Sequence, residues 1–132
     1  MSETIRVGHK EGELFEIGIR NHLVHVDQPI QAGGSDAAPT PVELFVAGLA
    51  SCVAVYARRY LVRHNLPTEG MSVDATFTMG DRPARVRQVN VSIELPRAVP
   101  EERRAALLAV ASHCTVHNTL EDPPEVRIGL AA

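Results

Sequence analysis

The sequence predicts an α+β protein with the element order βββ-α-ββ-α-β. Three observations lead to this. Short alternating apolar runs cluster before residue 28 and again between residues 71 and 95; one long apolar run lies between them; and a second helical run follows Pro100. Strands grouped before and after one central helix belong to α+β architecture rather than to repeated strand-helix-strand units. At 132 residues the chain is expected to form a single domain, 1–132.

The first strands fall within residues 3–28. Ile5 and Val7 alternate with polar neighbours, Glu11-Gly12 turns the chain, Leu14, Phe15, Ile17 and Ile19 follow, and Leu23, Val24 and Val26 come after a break at Asn21-His22. An antiparallel meander is expected. Residues 29–39, PIQAGGSDAAP, form the one long loop, open to two readings: a wall of a site, or flexible linkage.

The central helix is expected over residues 40–65. Thr40 suits the N-cap, Pro41 the first helical position, and Glu43 completes a Thr-x-x-Glu capping box. From Leu44 to Val62 nearly every position is apolar or small on all faces, so the helix should be buried on all sides. A chain this short buries such a helix with difficulty, and a second copy would supply the missing cover, so a homodimer is expected. The run is long enough to span a bilayer, but Arg58, Arg59 and Arg63 interrupt its second half, which argues against insertion.

Past the helix, Met71, Val73, Ala75, Phe77 and Met79 alternate with polar residues as a half-buried strand. Gly80-Asp81-Arg82-Pro83 turns the chain, and Val86, Val89, Val91, Ile93 and Leu95 form its hairpin partner, with a slip near Arg87-Gln88 that reads as a bulge. Pro100-Glu101-Glu102 opens the second helix with acidic residues where the helix dipole favours them. It should stop near Ser112-His113-Cys114, with a short extra turn over 115–120. A last strand is expected within 124–130, on the alternation of Val126, Ile128 and Leu130.

Composition narrows the function. A net charge of −3 with dispersed basic residues, 4% aromatic content and no Trp offer no nucleic-acid surface. The first ten residues contain no apolar signal core, so a cytoplasmic protein is expected. In that reducing compartment its two cysteines are free thiols or a redox pair rather than a structural staple.

Cys52 and Cys114 are therefore the candidate nucleophiles. For Cys52 the alternative is a small apolar core residue, and a site three turns inside a helix gains little from the helix dipole. Reactivity would need a nearby cation. At about 100° per residue, Phe45, Tyr56, Arg59 and Arg63 share the Cys52 direction, and Arg59 leans back toward it. Arg59 and Arg63 could equally pair with acids or favour the helix C-terminus. Glu43 points to the opposite face and reads as a capping residue. His113, Cys114 and His117 give half of a zinc-site spacing without its other half, so no metal is expected.

Several strings resemble one family: Asn21-His22, Asp27-Gln28-Pro29, Gly33-Gly34, Pro39-Thr40-Pro41-Val42-Glu43-Leu44-Phe45, Ala50-Ser51-Cys52, and His113-Cys114-Thr115-Val116-His117-Asn118-Thr119-Leu120. Together they cover most of the chain and resemble the OsmC/Ohr family of osmotically induced and organic-hydroperoxide-resistance proteins. The resemblance implies an OsmC-like fold in an intertwined homodimer, with the long central helices buried between antiparallel sheets from both chains. It also implies a peroxidatic Cys52 that becomes a sulfenic acid, a resolving Cys114 that traps it as a disulfide, and an external dithiol reductant with no bound cofactor. Two positions depart from the better-studied peroxidases. Val42 stands where they carry a Glu that orients a catalytic Arg, and the place of that Arg on an early strand offers His9 and Lys10, with Arg6 and Arg20 further off. Arg59 and Arg20 are thus the candidate partners of the thiolate. The expected function is reduction of organic hydroperoxides in oxidative-stress defence. The alternative is a protein of the same fold with inert cysteines that binds a small apolar or thiol-bearing ligand.

Overall fold

The computed structural model describes residues 3–132 and has α+β architecture, with two antiparallel sheets and three helices. It contains two compact units, Met1–Phe45 and Val46–Ala132.

In the first unit, β1 (Ile5–Glu11), β2 (Leu14–Ile19) and β3 (His22–Val26) form the expected meander in the order β1-β2-β3. Register sets Val7 opposite Ile17 and Ile17 opposite Val24, so apolar side chains collect on one face. That face is poorly covered, since Ile5 and Val7 on β1 are more than half exposed.

The loop after β3 is built around one carboxylate. Asp27, 1% exposed, accepts the backbone N–H groups of Gln28 at 2.7 Å, Ser35 at 3.3 Å and Ala37 at 3.0 Å. Its own N–H donates to the Pro39 carbonyl. A buried carboxylate needs such donors, and here they fold the segment back on itself. Linkage by a loose loop is therefore the wrong reading of residues 29–39, which also include a 3₁₀ turn at Ile30–Ala32.

The long helix α1 (Pro41–Arg63) begins where its capping box predicts. Thr40 Oγ1 accepts the Glu43 N–H at 3.0 Å, and Glu43 Oε1 accepts the Thr40 N–H at 2.8 Å.

In the second unit, β4 (Ser72–Gly80) and β5 (Arg85–Glu94) pair as the expected hairpin. Thr78 faces Gln88 and Met79 faces Val86, which leaves Arg87 as the extra residue of the bulge. Helix α2 (Glu101–Ala111) and the short α3 (Thr115–Glu121) follow. The core joins Leu49, Val53, Ala57, Tyr60 and Leu61 of α1 to Leu107 and Ala111 of α2 and to Cys114.

One expectation fails, that of a last strand, and the cover expected for α1 from a second copy is not supplied within the single chain. Burial of α1 is confined to one stripe, Val46, Leu49, Val53, Ala57, Tyr60 and Leu61, at helical spacing, whereas Val55 and Val62 are nearly half exposed. One hairpin and two short helices cover only one side of a 23-residue helix. The strand expected within 124–130 does not form: Val126, Ile128 and Leu130 alternate as a strand would, yet all three are largely exposed. A strand needs an edge to satisfy its backbone groups, and this segment pairs with none among the described residues.

Candidate functional site

Cys52 lies within α1 beside the buried stripe, half-buried and packed against the core cluster. Cys114 arrives from the other end of the unit. The α2 helix stops at Ser112-His113, and the backbone then extends at Cys114 (φ −67°, ψ 158°) before α3 begins, which makes Cys114 the N-cap. Its Sγ accepts the His117 N–H at 3.4 Å, and its side chain is fully buried among the core residues. The break between two helices thus carries one thiol down onto the helix that holds the other.

The two thiols belong to one packed region: Cys114 is part of the core cluster, and Cys52 packs against that cluster. Burial pushes the Cys114 thiol above its ordinary value, and the neighbouring Cys52 thiol pushes it further. The backbone N–H groups of His117 and Val116 pull the other way and are outweighed. Cys114 therefore holds its proton more firmly than a free thiol does. Both cysteines are unbridged.

Next to the thiols stands a contact between the same two elements. Tyr56, one turn after Cys52, places its hydroxyl 2.7 Å from Oγ1 of Thr115, the residue after Cys114. Arg59 lies over the Tyr56 ring, 5.4 Å from its centre. The helical direction shared by Cys52, Tyr56 and Arg59 was legible in the sequence, but the Thr115 partner was not. Arg20 belongs to the first unit, at the β2–β3 turn, with φ 54°.

The histidines near Cys114 face elsewhere. Nδ1 of His113 is 2.8 Å from the Ala109 carbonyl oxygen; Nδ1 of His117 bonds the Ser112 carbonyl, and its Nε2 is 3.1 Å from Glu121 Oε1. Among the described residues no three metal-ligating side chains converge. Beside α1, between Leu49 and Val53 and the β5 residues Val91 and Ile93, an apolar cleft of about 200 Å³ opens, with Leu108 and His117 also on its wall.

Both thiols lie in a small α+β fold, and the comparisons with known proteins agree with that fold. The OsmC-like protein family matches residues 33–129, and the chain belongs to that family. Among solved structures, a protein from Psychrobacter arcticus, provisionally named an osmotic stress induced and detoxification response protein, superposes with a TM-score of 0.83 at 20% identity, covering 90% of this chain and 88% of that one. An OsmC-like protein from Mycoplasma pneumoniae gives 0.79 at 17% identity, with 93% and 89% covered. An organic hydroperoxide resistance protein from Elizabethkingia anophelis gives 0.70 at 21% identity, with 93% and 91% covered. At these identities the likenesses establish the fold. No curated protein matches the chain.

Proposed function

We propose that the protein is a thiol-dependent peroxidase that reduces organic hydroperoxides, acting in the cytoplasm as a homodimer in defence against oxidative stress. The observation that carries this reading is the packing of Cys52, on α1, against the core cluster that includes the buried Cys114, at the α3 N-cap.

In the proposed cycle the Cys52 thiolate attacks the terminal oxygen of a hydroperoxide. The O–O bond breaks, the alkoxide leaves and takes a proton from solvent, and Cys52 becomes a sulfenic acid. Cys114 then gives up its proton and attacks the Cys52 sulfur, forming the disulfide as water departs. An external dithiol reduces that disulfide and restores both thiols. The asymmetry of the pair suits this order: the half-buried sulfur meets substrate while the fully buried one waits protonated. The apolar cleft beside α1 has Val53, the neighbour of Cys52, on its wall but neither sulfur, and an alkyl group seated there would favour organic hydroperoxides over hydrogen peroxide. Arg59 and Arg20 are the proposed cations for the thiolate, and replacing each in turn by Gln would separate their parts.

Uncovered apolar surface supports the homodimer. Val55 and Val62 on α1, Ile5 and Val7 on β1, and Ile128 and Leu130 in the C-terminal segment are all exposed in one chain.

The test is consumption of cumene hydroperoxide against hydrogen peroxide with a dithiol supplied. Faster turnover of the organic peroxide is expected, with none in Cys52→Ser. A Cys114→Ser protein that never accumulates a Cys52 sulfenate would overturn the reading. A second reading, a ligand-binding protein with inert thiols, draws on the burial of Cys114 and its raised pKa. Slow alkylation of both cysteines at pH 7, unchanged in Arg59→Gln, would favour it.

A further inference from the structure

Beside the two thiols lies a hydrogen bond built from the same two elements. Along α1, Tyr56 follows Cys52 by four residues and so lies on the same face one turn on. Along the other element, Thr115 directly follows Cys114. Tyr56 meets Thr115 at 2.7 Å, and Cys52 packs against the core cluster that holds Cys114, so the same stretch of α1 reaches both residues that open α3. The Tyr56–Thr115 bond is the one side-chain hydrogen bond from α1 to the Cys114–Glu121 segment among the described residues.

The surroundings of both hydroxyls limit their motion. The Tyr56 ring packs against the core on one side and carries the Arg59 guanidinium 5.4 Å from its centre. Thr115 is the first residue of α3, and its carbonyl accepts the Thr119 hydroxyl at 2.8 Å. The bond therefore ties a restrained side chain to the residue that follows the buried thiol.

We propose that Tyr56 and Thr115 are positioning residues: their hydrogen bond holds the Cys114 turn on α1 and sets how readily Cys114 closes on Cys52. The proposal rests on the thiol-pair part of the function above and not on the peroxide. Closing the pair demands that one sulfur reach the other along the bond being broken, so a turn free to drift lowers the effective concentration of the second thiol.

Glutathione tests this without any peroxide. Cys52 attacks oxidised glutathione and releases one glutathione thiolate; Cys114 loses its proton to solvent, attacks the Cys52 sulfur of the mixed disulfide and releases the second. Two rates are read in wild type, Tyr56→Phe, Thr115→Val and the double variant: formation of the mixed disulfide, and its closure by Cys114. Tyr56→Phe keeps the ring under Arg59 and removes only the hydroxyl. Closure should slow about five-fold in each single variant, the scale of one side-chain hydrogen bond, while mixed-disulfide formation stays at the wild-type rate. The double variant should lose no more than either single one, because one bond is lost in all three. Unchanged closure in the single variants, or losses that multiply in the double variant, would overturn the proposal. A wild-type protein that never closes in glutathione would overturn it as well. Closure in glutathione but not with hydroperoxide would instead remove the peroxidase reading, and the variants would still decide the role of the two hydroxyls.

Discussion

The carboxylate of Asp27 accepts the backbone N–H of Ala37 at 3.0 Å, across ten residues of loop. With the N–H groups of Gln28 and Ser35 it forms the centre of the segment that leads to the α1 cap. These donors, led by Ala37 and Gln28, hold its carboxyl below the ordinary value of 3.8 despite the opposing effect of burial. A depressed carboxyl pKa adds stability that is complete above the unfolded value and is lost as pH falls through the folded one. Asp27→Asn should therefore lower the urea midpoint at neutral pH. The gap from wild type should stay constant down to about pH 5 and close below pH 4. A gap independent of pH would mean that the charge contributes nothing.

Gly34 makes the same loop possible in a different way. A β-carbon there would fall 2.0 Å from the Gln28 carbonyl oxygen and 2.7 Å from Asp27 Oδ1, and the first of these is backbone that has little room to retreat. Gly34→Ala should cost about 1–3 kcal/mol, measured by chemical denaturation. Gly48→Ala, in α1, meets nothing within 4 Å and serves as the control, with little change or a small gain.

Which parts of the structure the sequence revealed follows from the range of the interactions that fix them. Local chemistry was legible: the Thr40–Glu43 box, the bulge at Arg87 and the end of α2 at Ser112 depend on neighbours within a few residues. Alternation correctly found every strand that has a partner. It also marked 124–130, where the pattern is present and the partner edge is not, because periodicity reports which side chains would share a face and not what they meet. The same gap explains α1. Its all-round apolarity was visible, but cover for its second side depends on what lies beyond one chain. At the site, Cys52 and Cys114 were found from their residue type and from family resemblance. The Thr115 contact joins residues 59 positions apart and left no local sign. The Asp27 cage was missed too, although an Asp followed by Gln-Pro and then Gly33-Gly34 is the kind of signal that indicates a folded-back loop.

Glu43 is held as a cap rather than as a partner of Cys52, and the two roles separate experimentally. Its Oε1 accepts the Thr40 N–H at 2.8 Å, a bond that a Gln oxygen can also make. Glu43→Gln should keep both stability and thiol reactivity near wild type. Thr40→Ala should cost about 1 kcal/mol in denaturation and leave the Cys52 alkylation rate unchanged. A large loss of Cys52 reactivity in Glu43→Gln would instead give its charge a part in the chemistry.

The raised pKa of Cys114 has separable causes. Burial is the largest and remains in any variant of the other thiol; the dipole of the neighbouring Cys52 thiol and the charge it can carry raise it further. Cys52→Ala removes both of these and keeps the lowering N–H groups of His117 and Val116. Thiolate absorbance followed against pH should therefore show Cys114 ionising at lower pH in Cys52→Ala than in the reduced wild-type protein. An unchanged or higher midpoint would mean that the thiols are not neighbours in solution.

The uncovered face of α1 leads to the last prediction. An exposed apolar flank on a 23-residue helix has two physical solutions, a second protein surface or a bilayer, and α1 is long and apolar enough for either. Arg58, Arg59 and Arg63 weigh against the bilayer, since charged side chains within a span are costly there, whereas at a protein interface they can stay at the wet rim. A second copy would also present strand edges to the unpaired alternation of Val126, Ile128 and Leu130. Sedimentation should give twice the chain mass without detergent. Val55→Glu, which puts a charge into the middle of the apolar flank, should weaken self-association by roughly 30-fold or more. The same substitution on a monomeric protein would leave the mass unchanged and improve solubility. Recovery of the wild-type protein only with lipid vesicles would assign the flank to a membrane and end the dimer proposal.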